Sequence, residues 1–323
     1  MIAPRRLLPP LLAAGFAGLA ALNPAWPVTR DLRDALIVID ITRSMNVRDM
    51  AGRSRLDAAR AVLRDWISRQ PCGTRAGLAV FTERRTLTLI APVDVCADFA
   101  SLDRALAALD WRMAWEGDSM VSKGLNHGLA RARAFGVPLI FVTDGHEAPP
   151  LPYSGPETFS GDCPGGVIVG AGGDVPAPIP KFDDDGREAG FYGPADVQHA
   201  PARRGPPPPD AASRPGFHPR NNPYGEADLD GTEHLSALRA SHLRRLAAPC
   251  GLGVVRLSQG PAALDAAMAA HARTRTVTVR RGLAPLFGLF ALAALVAGWA
   301  PRHLPPRNGR SRAFPAPQTG DIQ

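Results

Sequence analysis

The chain has 323 residues, 45% of them hydrophobic, with 37 Lys and Arg against 30 Asp and Glu. That length holds one large domain or two small ones, and the apolar share allows a sizeable core. The net charge of +7 is spread over flanks and loops without a basic stripe interleaved with aromatics, which argues against nucleic-acid binding.

Read from the N-terminus, "LLPPLLAAGFAGLAALNPAW" (7–26) follows Arg5 and Arg6 and has about the 20 residues of a bilayer-spanning helix. It predicts an N-terminal membrane anchor over 1–28, with a cleaved signal as the alternative. "DALIVID" (34–40) is a continuous apolar run, as expected of a strand buried on both faces. "SRLDAARAVLRDWISRQ" (54–70) carries a helical apolar stripe and a capping pair, Ser54 and Asp57. "RAGLAVF" (75–81) and "TLTLIAPV" (86–93) read as a hairpin turning at Glu83-Arg84-Arg85. Helices are expected over 99–111 and 119–135, and buried strands over 137–145 and 165–173. Residues 174–231 hold "VPAPIP" and "GPPPP" and form a Pro/Gly-rich insertion, partly loop and partly disordered, with one hairpin turning at Asp184-Asp185-Gly186. A helix over 232–250, a strand over 251–258 and a helix over 261–273 complete a domain spanning 34–275. "LAPLFGLFALAALVAGWA" (283–300) has no charge and predicts a transmembrane helix over 282–300, followed by a disordered basic tail, 301–323. Arginines flank both apolar segments, so charge does not orient them.

The alternation predicts a doubly wound α/β fold with a mostly parallel six-stranded sheet in the order 3-2-1-4-5-6, flanked by two transmembrane helices. The hairpin register places Cys72 and Cys96 opposite each other at its open end. Cys163 and Cys250 each precede a later strand by a similar distance, which makes a second bridge feasible. Disulfides imply an oxidising compartment, so the expected location is the inner membrane with the domain in the periplasm.

In such a sheet ligands bind beyond the strand C-termini at the switch point, where Asp40 and Asp144 both arrive. Thr42 and Ser44 alternate after Asp40, and the loop before residue 121 offers Ser119. Five oxygen donors without His or Cys suit a hard divalent cation, Mg²⁺ foremost, with Ca²⁺ or Mn²⁺ as alternatives. This constellation resembles the metal-ion-dependent adhesion site of von Willebrand factor A domains: Asp40 and Ser44 match directly, as do Asp144 and Gly145. Thr42 stands where that family usually has Ser, and Ser119 where it usually has Thr. Asp118 is an alternative loop donor and Glu147 a candidate supporting acid.

"DITRSMNVRDM", "VFTERR", "APVDVC", "MAWEGDSMVSKGL" and "VTDGHEAPP" further resemble membrane-anchored A-domain proteins encoded with bacterial methanol dehydrogenases (MxaL-type). The resemblance implies cation-dependent binding of a protein client through its acidic side chain, in maturation of a periplasmic quinoprotein, including calcium insertion. It also implies other A-domain proteins or a MoxR-type AAA+ ATPase as partners, with the bilayer at the flanks and no enzymatic turnover. A membrane-tethered scaffold with a non-functional site is the rival. A haloacid-dehalogenase-like phosphotransferase fits poorly, because Thr42 stands where its second acid is needed.

Overall fold

The computed structural model describes residues 8–149, 151, 155–197, 203–204, 208–210, 213, 224–225 and 233–303. The chain begins with α1 (Leu8–Leu22), β1 (Ala25–Leu32) and β2 (Ala35–Asp40), then α2 (Arg55–Ser68), β3 (Arg75–Thr82) and β4 (Arg85–Asp94). Next come α3 (Phe99–Ala107), α4 (Val121–Phe135), β5 (Leu139–Thr143) and β6 (Gly166–Gly170). The insertion holds the short strands β7 (Ala177–Pro178), β8 (Pro180–Phe182), β9 (Glu188–Phe191), β10 (Arg203–Arg204) and β11 (Tyr224–Gly225). Last are β12 (Leu235–Ser236), α5 (Ala240–Ala247), β13 (Gly253–Arg256), α6 (Gly260–His271), β14 (Arg275–Gly282) and α7 (Ala284–His303).

Two units separate: residues 30–277, and residues 1–29 with 278–323. The larger is built on a mixed six-stranded sheet in the order β13-β6-β5-β2-β3-β4. All neighbours run parallel except β3 and β4. Helices cover both faces, which explains the unbroken apolar run of β2. Ile37 and Ile39 pack with Leu63, Trp66, Leu102 and Met268 on one face. Leu36 and Val38 pack with Phe81, Leu125, Leu129 and Leu243 on the other.

Gly124 sets how close α4 comes to the sheet, because a Cβ there would overlap the buried Phe81 ring. Gly124→Ala is expected to destabilise the fold by about 1–3 kcal/mol through overpacking. Urea unfolding would measure it, and a change below about 0.5 kcal/mol would count against this packing role.

Both sulfur pairs are bonded. Cys72 joins Cys96 with Cα atoms 5.2 Å apart, and Cys163 joins Cys250 at 5.4 Å. The hairpin turn is shorter than the sequence suggests. Thr82 pairs with Arg85, so only Glu83 and Arg84 turn, and Glu83 takes the left-handed φ of +58°. Two register shifts along the ladder bring Arg75 opposite Asp94.

The expectation of membrane spans is corrected. Among the described residues no helix is long and apolar enough to cross a membrane, so the two transmembrane helices do not stand. α1 has 15 residues and rises about 22 Å, short of a hydrocarbon core of about 30 Å. Trp26, counted in the first apolar segment, lies in β1, which pairs with β14. In α7 the apolar run over residues 284–300 rises about 26 Å before Pro301, Arg302 and His303 follow. Within this unit α1 and α7 meet through the rings of Phe16 and Phe290, 5.5 Å apart.

The helix expected over 232–250 begins only at Ala240, because Leu235–Ser236 pairs with β7 and the Leu238 N–H bonds the Gly173 carbonyl. The helix expected over 99–111 ends at Ala107, and Trp111–Met113 forms a separate 3₁₀ turn. The hairpin at Asp184-Asp185-Gly186 forms between β8 and β9, with Gly186 at φ +77°. The tail beyond His303 and much of residues 198–232 lie outside the described residues.

Candidate functional site

β2 delivers Asp40 to the sheet's C-terminal edge, where both it and Asp144 are fully buried. The stretch after Asp40 is not extended: residues Arg43–Asn46 form a 3₁₀ turn. Thr42 folds back, its N–H and Oγ1 donating to Asp40 Oδ1 at 2.9 and 2.7 Å. Thr143 Oγ1 donates to the other oxygen, Oδ2, at 2.6 Å. Both hydroxyl protons are thus spent on Asp40, which leaves lone pairs to face away.

Ser119 is placed by a backbone stitch rather than by its own helix. Its N–H donates to Ala148 and its carbonyl accepts from Ala148, at 2.6 and 2.8 Å. The turn residue Glu83 donates to the Asp118 carbonyl and accepts from Met120, at 2.9 and 2.6 Å. Ser119 Oγ consequently lies 3.5 Å from Thr42 Oγ1. Ser44 is buried, and its Oγ has no hydrogen-bond partner. Thr42, Ser44, Asp118 and Ser119 all line one cavity of about 180 Å³.

Asp144 is engaged differently. Arg55 Nη1 donates to its Oδ2 at 2.6 Å and Ser236 Oγ donates there at 2.8 Å, while Oδ1 accepts the His146 N–H at 3.0 Å. Arg55 is fully buried and also grips Asp49, with Nη2 to Oδ2 at 2.7 Å. Gly145 takes φ +78°, and a Cβ there would press on Leu243, so this turn requires glycine. Glu147 is taken up elsewhere: its carboxylate accepts the N–H groups of Val121 and Ser122 at the start of α4 (2.8 and 3.0 Å) and meets His242 Nε2 at 2.9 Å.

The charges do not balance locally. Burial, then the neighbouring Asp144, push the Asp40 carboxyl up to about 7 against the hydrogen bonds from Thr143 and Thr42. Burial also works against the Asp144 charge, but Arg55, His146 and Ser236 outweigh it and hold that carboxyl below its usual range. Burial holds the His146 imidazole below its usual range. One guanidinium therefore serves Asp49 and Asp144, whereas among the described residues Asp40 is bonded by Thr42 and Thr143 and paired with no cation.

The donor chemistry fits a hard ion: a buried carboxylate short of positive charge, and beside it hydroxyl oxygens, one of them unpartnered. Among the described residues no three His, Cys, Asp or Glu side chains gather as a metal cage, so an ion here would depend on hydroxyls and water. Sequence reading missed Arg55, Asp49, Thr143 and Ser236. A signal for Arg55 existed, since an arginine in a helix's first turn opposes the macrodipole and needs another reason to be there.

Residues 35–146 match the family model of the von Willebrand factor type A domain. An aerotolerance-related membrane protein from Bacteroides fragilis NCTC 9343 aligns at 15% identity over 74% of this chain and 99% of that one, with a TM-score of 0.45. The PilB minor pilin from Streptococcus sanguinis aligns at 16% identity over 38% of this chain and 32% of that one, TM-score 0.30. Proximal thread matrix protein 1 from the mussel byssus aligns at 14% identity over 43% and 38%, TM-score 0.30. No curated protein matches the chain.

Proposed function

We propose, from the premise that residues 35–146 form a von Willebrand factor type A domain, that this protein binds a partner protein through a divalent cation. Asp40, Thr42, Ser44 and Ser119 would hold the ion, with Mg²⁺ favoured and Ca²⁺ or Mn²⁺ as alternatives. Asp144 acts from behind, its charge already shared with Arg55. When bound, the ion supplies a positive centre that accepts an acidic side chain from the partner. The observation that carries this reading is Asp40, fully buried next to a second carboxylate and, among the described residues, in no ion pair.

The chain's own residues position and polarise, and no turnover is proposed for them. The two disulfides support an oxidising compartment, such as the periplasm. The finer reading is assembly or maturation of a periplasmic quinoprotein such as methanol dehydrogenase, including calcium insertion. A MoxR-type AAA+ ATPase or another A-domain protein would be a further partner. Sequence resemblance alone supports that part.

Ser44→Ala tests the site with little risk to the fold, since the hydroxyl lost has no partner. Isothermal titration with Mg²⁺ or Mn²⁺ is expected to show binding to the natural chain, weakened about tenfold or more by the substitution. Partner capture should need the cation and fall with Ser44→Ala while circular dichroism stays the same. Cation binding unaffected by Ser44→Ala would move the ion elsewhere.

A further inference from the structure

The cavity in front of Ser44 is lined by two different parts of the chain. Its volume of about 180 Å³ corresponds to about six waters. It is lined by Thr42, Ser44 and Ser119 at the sheet edge, by Ile179 and Tyr192 of the insertion, and by Glu233 just after the insertion. A hydrated ion fits that space.

Glu233 is held there from both sides. Its Oε2 lies 3.7 Å from His146 Nε2, another residue of the cavity wall. The next residue, His234, accepts the Ile179 N–H through its carbonyl at 3.3 Å. Leu235 and Ser236 pair with Pro178 and Ala177, and Ser236 Oγ donates to Asp144 at 2.8 Å. Asp196 reaches the same cavity, but it is committed to Lys181 and the Gly193 N–H, at 2.9 and 2.8 Å. Asp118 also lines the cavity beside Ser119, and Arg55 occupies Asp144, so a second acid from outside the two strand ends can complete a hard cation's oxygen set.

We propose that Glu233 is a ligand the chain supplies to its own cation, filling the position that a partner's acid would take. The inference rests on the cation reading above and adds a consequence: a partner's acid has to displace Glu233 before it can reach the ion.

Mn²⁺ alone is a sufficient probe, added to the full chain. Titration calorimetry gives its affinity, and water-proton relaxation counts the waters on the bound ion. Glu233→Gln is expected to weaken Mn²⁺ about tenfold and to raise the relaxation enhancement by one further bound water. Added acetate should then lower that enhancement in the variant and leave the natural chain unchanged. Glu233→Asp, which keeps the charge but shortens the reach, should fall between the two. Unaltered affinity and hydration in Glu233→Gln, with Mn²⁺ still displaced by Ser44→Ala, would overturn the Glu233 assignment only. No Mn²⁺ binding to the natural chain would overturn the cation reading and this inference together.

Discussion

Arg55→Met is expected to cost about 3–5 kcal/mol of stability, the range for breaking a buried ion pair from one side. The guanidinium is fully buried and bonds two carboxylates, of which Asp144 has no solvent exposure either. Removing it leaves Asp144 buried near Asp40 without its charge partner. Asp144 would then take up a proton at higher pH than it does now, since burial alone raises its pKa once Arg55 is gone. The double variant Arg55→Met with Asp144→Asn should recover part of the loss, because the stranded charge goes with its partner. A contrast is available on the surface, where Arg64 pairs with Asp103 at 2.6 Å with both side chains partly exposed. Arg64→Met should change stability by no more than about 1 kcal/mol. Urea denaturation of the four chains decides it, and an Arg55→Met loss below about 1 kcal/mol would show that the buried network is not what holds this edge of the sheet.

Divalent cations should stabilise the protein more at pH 8 than at pH 6. Unfolded, Asp40 titrates near 3.8; folded and without an ion it is pushed up to about 7. The folded value is the higher one, so the folded chain holds the extra proton. This group's contribution to stability is complete below about pH 4 and is lost as pH rises through 7. A cation needs the carboxylate, so at pH 6 it must first expel that proton, whereas at pH 8 it does not. At 100 times its Kd an ion that binds only the folded chain stabilises it by about 2.7 kcal/mol, or about 5–10 °C in Tm for a domain of this size. Thermal unfolding with chelator and with 10 mM Mg²⁺, Mn²⁺ or Ca²⁺, a range of roughly 100 times a sub-millimolar Kd, would measure it. A Tm unmoved by all three ions at pH 8 would remove the basis for the site.

Much of this architecture is written locally in the chain. The unbroken apolar run of β2 could be satisfied only by burial on both faces, and helices on both sides provide it. Asp40 ends strand β2 and Asp144 follows directly on β5, and parallel neighbouring strands bring these ends to one edge. Ser54 caps α2 by accepting the Asp57 N–H, a contact that depends on residues three apart and so is visible in sequence. The cysteine pairs are near each other for the same reason, since strand register converts spacing into proximity.

The tertiary structure decided what depends on distant partners. Arg55 looks like one more charge on an amphipathic helix, and only the packing of α2 under the sheet edge brings it to Asp49 and Asp144. Asp144 reads as a free ion ligand until that guanidinium and Ser236 are seen to occupy it. Glu147 reads as a site acid, yet it closes the start of α4, because the Asp144–Gly145 turn carries it there. Leu235 and Ser236 fall within a helical pattern but pair with β7 instead, where Ser236 gains two buried hydrogen bonds that a helix would deny it. Composition set the apolar segments at either end, but it does not set where a helix starts and stops. Hydrophobic periodicity acts between near neighbours, whereas charge pairing and loop closure act across the fold, and it is the second kind of force that made this site.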